Sequence, residues 1–113
     1  MIQTKFQDCI QACHDCVTIC NQCAIACLHE SEVAHLTKCI QLNLECAAIC
    51  DAAAKVMSLD GQLSKELCRI CIDICKRCAE ECEQHAAMGM DHCRECAEAC
   101  RKCAEACEQM LAA

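Results

Sequence analysis

The sequence predicts an all-α fold, an antiparallel up-down-up-down four-helix bundle whose core is lined by cysteine. Three observations predict it. Nineteen of the 113 residues are cysteine, and nearly all follow one another at steps of three or four, the period at which side chains share one face of an α-helix. The chain has no proline and only two glycines, Gly61 and Gly89, so few helix breakers interrupt that pattern. Short polar or glycine-bearing turns divide it into four long stretches, and brief connections make consecutive helices antiparallel neighbours.

Taken in order, Thr4 and Gln7 resemble a capping box, and Cys9, Cys13, Cys16, Cys20, Cys23 and Cys27 carry the first helix to about Leu28. At about 100° per residue these side chains stay within a sector of about 80°. Residues 29–31 turn the chain, with Ser31 as the N-cap of a second helix that runs to about Ser58. Its stripe is mixed: Cys39, Cys46 and Cys50 share a face with His35, Asn43, Ala53 and Met57. Residues 59–62 form the next turn, after which Cys68, Cys71, Cys75, Cys78 and Cys82 line a third helix to about His85. Residues 86–90 turn again at Gly89, and Asp91 caps a fourth helix carrying Cys93, Cys96, Cys100, Cys103 and Cys107 to about Leu111. Residues 1–113 thus form one domain, with cysteine at the heptad positions where a bundle ordinarily carries leucine or isoleucine. Phe6 is the sole aromatic residue, so no ring is expected to fill the core. Ile10, Val17, Ile25, Val33, Ile40 and Leu44 fall away from the thiol face of the first two helices, whereas the last two are dense in Lys, Arg and Glu there. That asymmetry predicts contact between copies of the chain, with a few of these residues packing between neighbouring helices instead.

Composition excludes several classes. A secreted disulfide scaffold conflicts with the odd cysteine count and with residues 1–8, which have neither a basic stretch nor an apolar run to serve as an export signal; a cytoplasmic protein is expected. Helical neighbours at i and i+4 hold their Cβ atoms about 5–6 Å apart, beyond the roughly 3.5–4.5 Å of a disulfide. No apolar run approaches the roughly 18–20 residues of a membrane span. A net charge of −7, with ten Lys and Arg among seventeen acids, disfavours nucleic acid and anionic membranes as partners. The CxxC steps lack the βαβ context of a thioredoxin-like motif, and no catalytic constellation is present.

The thiols point instead to metal. Cys9/Cys13, Cys16/Cys20, Cys23/Cys27, Cys46/Cys50, Cys71/Cys75, Cys78/Cys82, Cys96/Cys100 and Cys103/Cys107 are CxxxC pairs. A metal–sulfur bond of about 2.3 Å sets a sulfur–sulfur span of roughly 4.5 Å, which such a pair meets without distorting the helix. Thiolate sites select Cu(I), Zn(II) or iron–sulfur clusters. Cluster ligands usually sit on loops, so iron–sulfur fits worst. Four thiolates around Zn(II) leave a charge of −2, whereas Cu(I) replaces thiol protons one for one and leaves a dry core no more charged than the apo core. The expected cargo is therefore Cu(I), many ions per chain, on the order of one per cysteine. A zinc-buffering protein of metallothionein type and a thiol redox buffer stand as the alternatives.

Topology gathers His29, His35, His85, Met88, Met90 and His92 at one end of the bundle, the expected mouth for copper. His35 is in phase with Cys39, while His85 and His92 flank their stripes as either transfer ligands or surface histidines. Met88 and Met90 are either auxiliary ligands or turn residues. Asn43 either ligates metal or fixes helix register. His14 and His29 read as solvated surface, and Met57 and Met110 as core filling.

The stretches CIQACHDCVTICNQCAIAC, CIQLNLECAAIC, CRICIDICKRCAEEC and CRECAEACRKCAEAC, with HESEVAH and CEQHAAMGMDHC between them, resemble the bacterial copper storage proteins. The resemblance covers essentially the whole chain and is closest to the cytosolic branch. It implies a homotetramer of four-helix bundles, ligation of Cu(I) by the nineteen cysteines through CxxxC pairs, and a His- and Met-bearing open end where copper enters. It also implies storage without catalytic turnover, with a copper chaperone or acceptor as a further partner. His35, His85 and His92 match only the general placement near the mouth.

Overall fold

A computed structural model describes residues 6–113. Four helices follow one another: α1 (Gln7–Leu28), α2 (Thr37–Ser58), α3 (Ser64–Ala86) and α4 (Asp91–Ala112), with a short 3-10 turn (Val33–Leu36) before α2. Each helix packs against two neighbours to make a bundle of 46 × 23 × 20 Å, and diagonal helices meet through their thiols across the interior. Buried alanines, among them Ala24, Ala47, Ala79 and Ala104, sit beside the cysteines and let the backbones approach closely. On the outer face of the α3–α4 pair, Arg101 grips Glu83 with two hydrogen bonds of 3.1 and 2.9 Å, and Lys76 reaches Glu108 at 3.2 Å. No helix among the described residues is long and apolar enough to cross a membrane.

The helix starts depart from the expected caps. Thr4 lies outside the described residues, and Phe6 occupies the position before α1 without a side-chain cap bond. Ser31 does not open α2: the chain continues through the 3-10 turn, and Leu36 stands in the cap position. Leu36 is buried beneath the chain at the mouth, so anchoring that side chain outweighs the local preference of serine for a cap. Asp91 is the first helical residue and Met90 precedes it in an extended conformation. The Asp91 carboxylate pairs with Arg94 and lies in the first turn, where the helix dipole favours negative charge.

The expectation that no ring fills the core is also corrected. Phe6 is buried in the core cluster with Cys9 and Ile10, at the end opposite the mouth. One phenyl ring suffices because it seals a terminus rather than a layer. Of the apolar residues expected on the outside, Ile10 is buried and Val17, Val33 and Ile40 are half-buried, while Ile25 and Leu44 remain exposed. Leu28 and, on α3, Ile70 are exposed as well, so apolar surface is not confined to the first two helices.

Candidate metal centre

The heptad spacing turns every cysteine inward. All nineteen are buried and none is in a disulfide. Sulfur therefore forms a continuous column along the bundle axis, which can be followed from the sealed end to the mouth.

At the sealed end, Cys9 and Cys107 hold their Sγ atoms 3.2 Å apart, and Cys68 Sγ lies 3.5 Å from Met57 Sδ. The next layer is Cys13, Cys71, Cys103 and Cys107, all with sulfurs within 4.8 Å of one another. Above it come Cys16, Cys46, Cys50 and Cys75, then Cys16, Cys20, Cys46 and Cys100, and then Cys20, Cys78, Cys96 and Cys100. Nearest the mouth stand Cys23, Cys27, Cys39 and Cys93, and Cys39 Sγ reaches Cys82 Sγ at 3.7 Å. The three middle groups share members, Cys16 and Cys46 between the first two and Cys20 and Cys100 between the last two, so a thiolate of one can bridge to a metal in the next. The CxxxC pairs Cys16/Cys20, Cys46/Cys50 and Cys71/Cys75 are separated by 3.8 to 3.9 Å. Several contacts between helices are shorter, 3.4 Å for Cys50–Cys71 and 3.6 Å for Cys13–Cys103.

Such a column distributes its protons unevenly. The hydrogen bond with Cys107 is the main influence holding the Cys9 thiol far below its ordinary range. Cys50 is pushed far up, first by its bond with Cys103 and also by burial. Some sulfurs thus serve as acceptors for S–H donors around them, and no buried Lys or Arg among the described residues compensates a fully ionised array. A cation that displaces a proton can enter this core without leaving charge behind.

Asn43 stands inside the column, fully buried. Its Oδ1 accepts from the thiols of Cys78 at 3.1 Å, Cys96 at 3.2 Å and Cys82 at 3.5 Å, and its Nδ2 donates to Cys39 at 3.8 Å. The one amide on the α2 stripe thereby ties α2 to α3 and α4.

The mouth sorts its histidines and methionines. His92 Nε2 donates to Glu30 Oε2 at 3.1 Å, and a carboxylate partner fixes the proton on that nitrogen. Nδ1 then faces Cys23 at 3.5 Å, Cys93 at 3.5 Å and Cys27 at 3.9 Å. Burial lowers the affinity of His92 for a second proton, but the hydrogen bonds with Cys23 and Glu30 outweigh it and hold the net pKa above the usual value. His85 is directed to Glu81 at 2.8 Å; Glu81 is itself nearly buried and also faces Lys38 on α2 at 3.7 Å. His35 is not brought to the thiols: the 3-10 turn takes it out of phase with Cys39, and its exposed ring faces Glu32 at 3.6 Å. Met88 is exposed on the α3–α4 turn and Met90 is half-buried against the core. Sequence reasoning missed Glu81 and Glu30. The first was within reach, since Glu81 and His85 are i, i+4 neighbours on a helix; the second depends on the packing of α1 against α4 and left no local signal.

Comparison with known proteins agrees with this geometry. A cytosolic copper storage protein from Streptomyces lividans, solved with five coppers, is 42% identical, with 96% of this chain and 93% of that one covered and a TM-score of 0.92. The Cu(I)-bound copper storage protein BsCsp3 is 46% identical over 96% of this chain and 99% of that one, with a TM-score of 0.89. An uncharacterized cysteine-rich protein of Bacillus subtilis, YhjQ, is 49% identical over 65 residues, 58% of this chain; the match spans 60% of that protein's length. The sequence profile of the copper storage proteins matches residues 2–112, nearly the full length over which the cysteine column runs, and this chain therefore belongs to the copper storage protein family.

Proposed function

We propose that this chain stores Cu(I) in the cytosol, taking up about one ion per thiol without catalytic turnover. One observation carries the reading: nineteen buried thiols, none in a disulfide, line the interior, and most of them gather in four-sulfur groups, some of which share members. Each ion displaces a thiol proton to form a copper–thiolate bond, so the core fills while its net charge stays constant. The low coordination number of Cu(I) suits sulfurs shared between neighbouring groups. Relatives solved with copper bound, at over 40% identity across almost the whole chain, support the same cargo.

Copper loads at the mouth through His92, whose ring bridges solvent and the thiols of Cys23, Cys27 and Cys93, with Glu30 holding it in place. His85, Met88 and Met90 are secondary, and His35 stays in solvent beside Glu32. The protein acts as a homo-oligomer, a tetramer on the family resemblance, and the exposed Ile25, Leu28 and Leu44 support an apolar contact between copies. A copper chaperone or acceptor exchanges ions at the same mouth.

Anaerobic titration with Cu(I) and, separately, Zn(II) against a competing chelator tests the reading. A Cu(I) plateau near one ion per thiol is expected, with far fewer zinc ions held. A plateau of about four or five copper ions sinks it, because most of the column would then be packing rather than ligand.

A further inference from the structure

We propose that Met57 is a copper ligand and that the sealed end of the bundle holds a mixed thiolate–thioether site. The inference rests on the storage function above and extends it to a side chain outside the cysteine set. Met57 is fully buried in the last turn of α2, where the stripe has run out of cysteine: Ala53 precedes it in register and no thiol of α2 lies beyond Cys50. Cys9 on α1, Cys68 on α3 and Cys107 on α4 occupy that same end, so each of the four helices contributes one sulfur.

The thioether is turned toward the thiols. Cys68 donates its S–H to Met57 Sδ at 3.5 Å, and Cys9 and Cys107 meet at 3.2 Å. A methionine serving only to fill volume has no need to present its sulfur to a donor; leucine at this register would pack as well. Chemistry favours the assignment too. Thioether sulfur is soft and neutral, so it adds a ligand for Cu(I) without adding charge to a core that has no buried Lys or Arg among the described residues. Phe6 and Ile10 cover this end and keep it dry, which favours a soft monovalent ion over a hydrated one. When copper binds, Cys68 loses its proton, the S–H···S bond disappears and the Sδ lone pair is freed for the metal.

The test uses selenomethionine protein with Met88→Leu, Met90→Leu and Met110→Leu, which leaves Met57 and Met1 as its methionines, compared with the same protein carrying Met57→Leu, which leaves Met1 alone. Both are loaded anaerobically with Cu(I) and read by selenium K-edge X-ray absorption. The expected result is copper backscattering around selenium in the first protein and none in the second, and Met57→Leu alone should lower capacity by about one ion. Circular dichroism of the apo forms verifies that both fold, and the single variant carries the capacity measurement if the multiple variant does not. If the first protein takes up about one ion per thiol with no copper near selenium, or if Met57→Leu leaves capacity unchanged, the Met57 assignment is overturned while the storage function stands. If neither protein takes up more than a few ions, the storage function itself fails and the Met57 site with it.

Discussion

His92 and His85 sit on adjacent helices at the mouth, yet they are held to different tasks. Glu30 orients the His92 ring so that Nδ1 faces three thiols, whereas Glu81 draws His85 to itself. His92→Ala should therefore slow copper uptake several-fold in stopped-flow mixing, and His85→Ala should slow it less. The double variant should keep nearly the full capacity, since neither ring belongs to the column; loss of many ions would make the histidines storage ligands. Asn43 is the other decisive residue. Asn43→Ala deprives three thiols of their acceptor and leaves a cavity the size of an amide in a fully buried layer. The apo protein should lose about 2–3 kcal/mol in urea unfolding. A loss below about 0.5 kcal/mol would show that Asn43 contributes nothing to helix register.

Among the elements, the connections show how strictly the bundle sets its own boundaries. None of the four helices opens with a side-chain cap bond, so their starts are placed by burial rather than by local capping. Leu36 in front of α2 and Ser64 at the head of α3 are both buried, and Ser64 Oγ donates to the Gly61 carbonyl at 2.7 Å. The α3–α4 turn depends on Gly89, whose φ of +98° lies in a region that side chains rarely adopt, although nothing stands within 4 Å of an added Cβ. Gly89→Ala should cost about 1 kcal/mol through backbone strain alone, measured by thermal or urea unfolding. Because the turn also carries Met88 and Met90, the same variant separates mouth geometry from stability: copper capacity should not change.

We expect the whole molecule to fold before any metal arrives and to stay folded as it fills. Cysteine is smaller than leucine, so the column provides less apolar burial than an ordinary bundle core of this length. Stability comes also from helix propensity, from alanines that bring helices close, and from Phe6, Ile10, Leu36 and Met57 at the two ends. The apo protein should show nearly the same helical circular dichroism as the copper-loaded form, while its melting temperature rises steeply on loading because ligand binds only the native state. A large gain of helicity on loading would mean that metal drives folding instead.

The sequence by itself determined the helices and the direction of their thiols, because a period of three and four residues leaves an inward stripe no other arrangement. The number of thiols and the charge each candidate metal would leave among them were enough to favour a monovalent soft ion, and the four cysteine-bearing stretches were enough to name a family. Tertiary packing decided the rest. Which cysteines share a group depends on the relative translation of helices, so the contacts of Cys50 with Cys71 and of Cys13 with Cys103 carry no sequence signature. His35 looked in phase with Cys39 until Leu36, buried at the mouth, drew the preceding residues into a 3-10 turn. Phe6 looked too solitary to matter, yet one ring closes an end. Met57 looked like filling because a heptad records where a side chain points and not which atom it presents, and only the packed bundle turns its sulfur to Cys68.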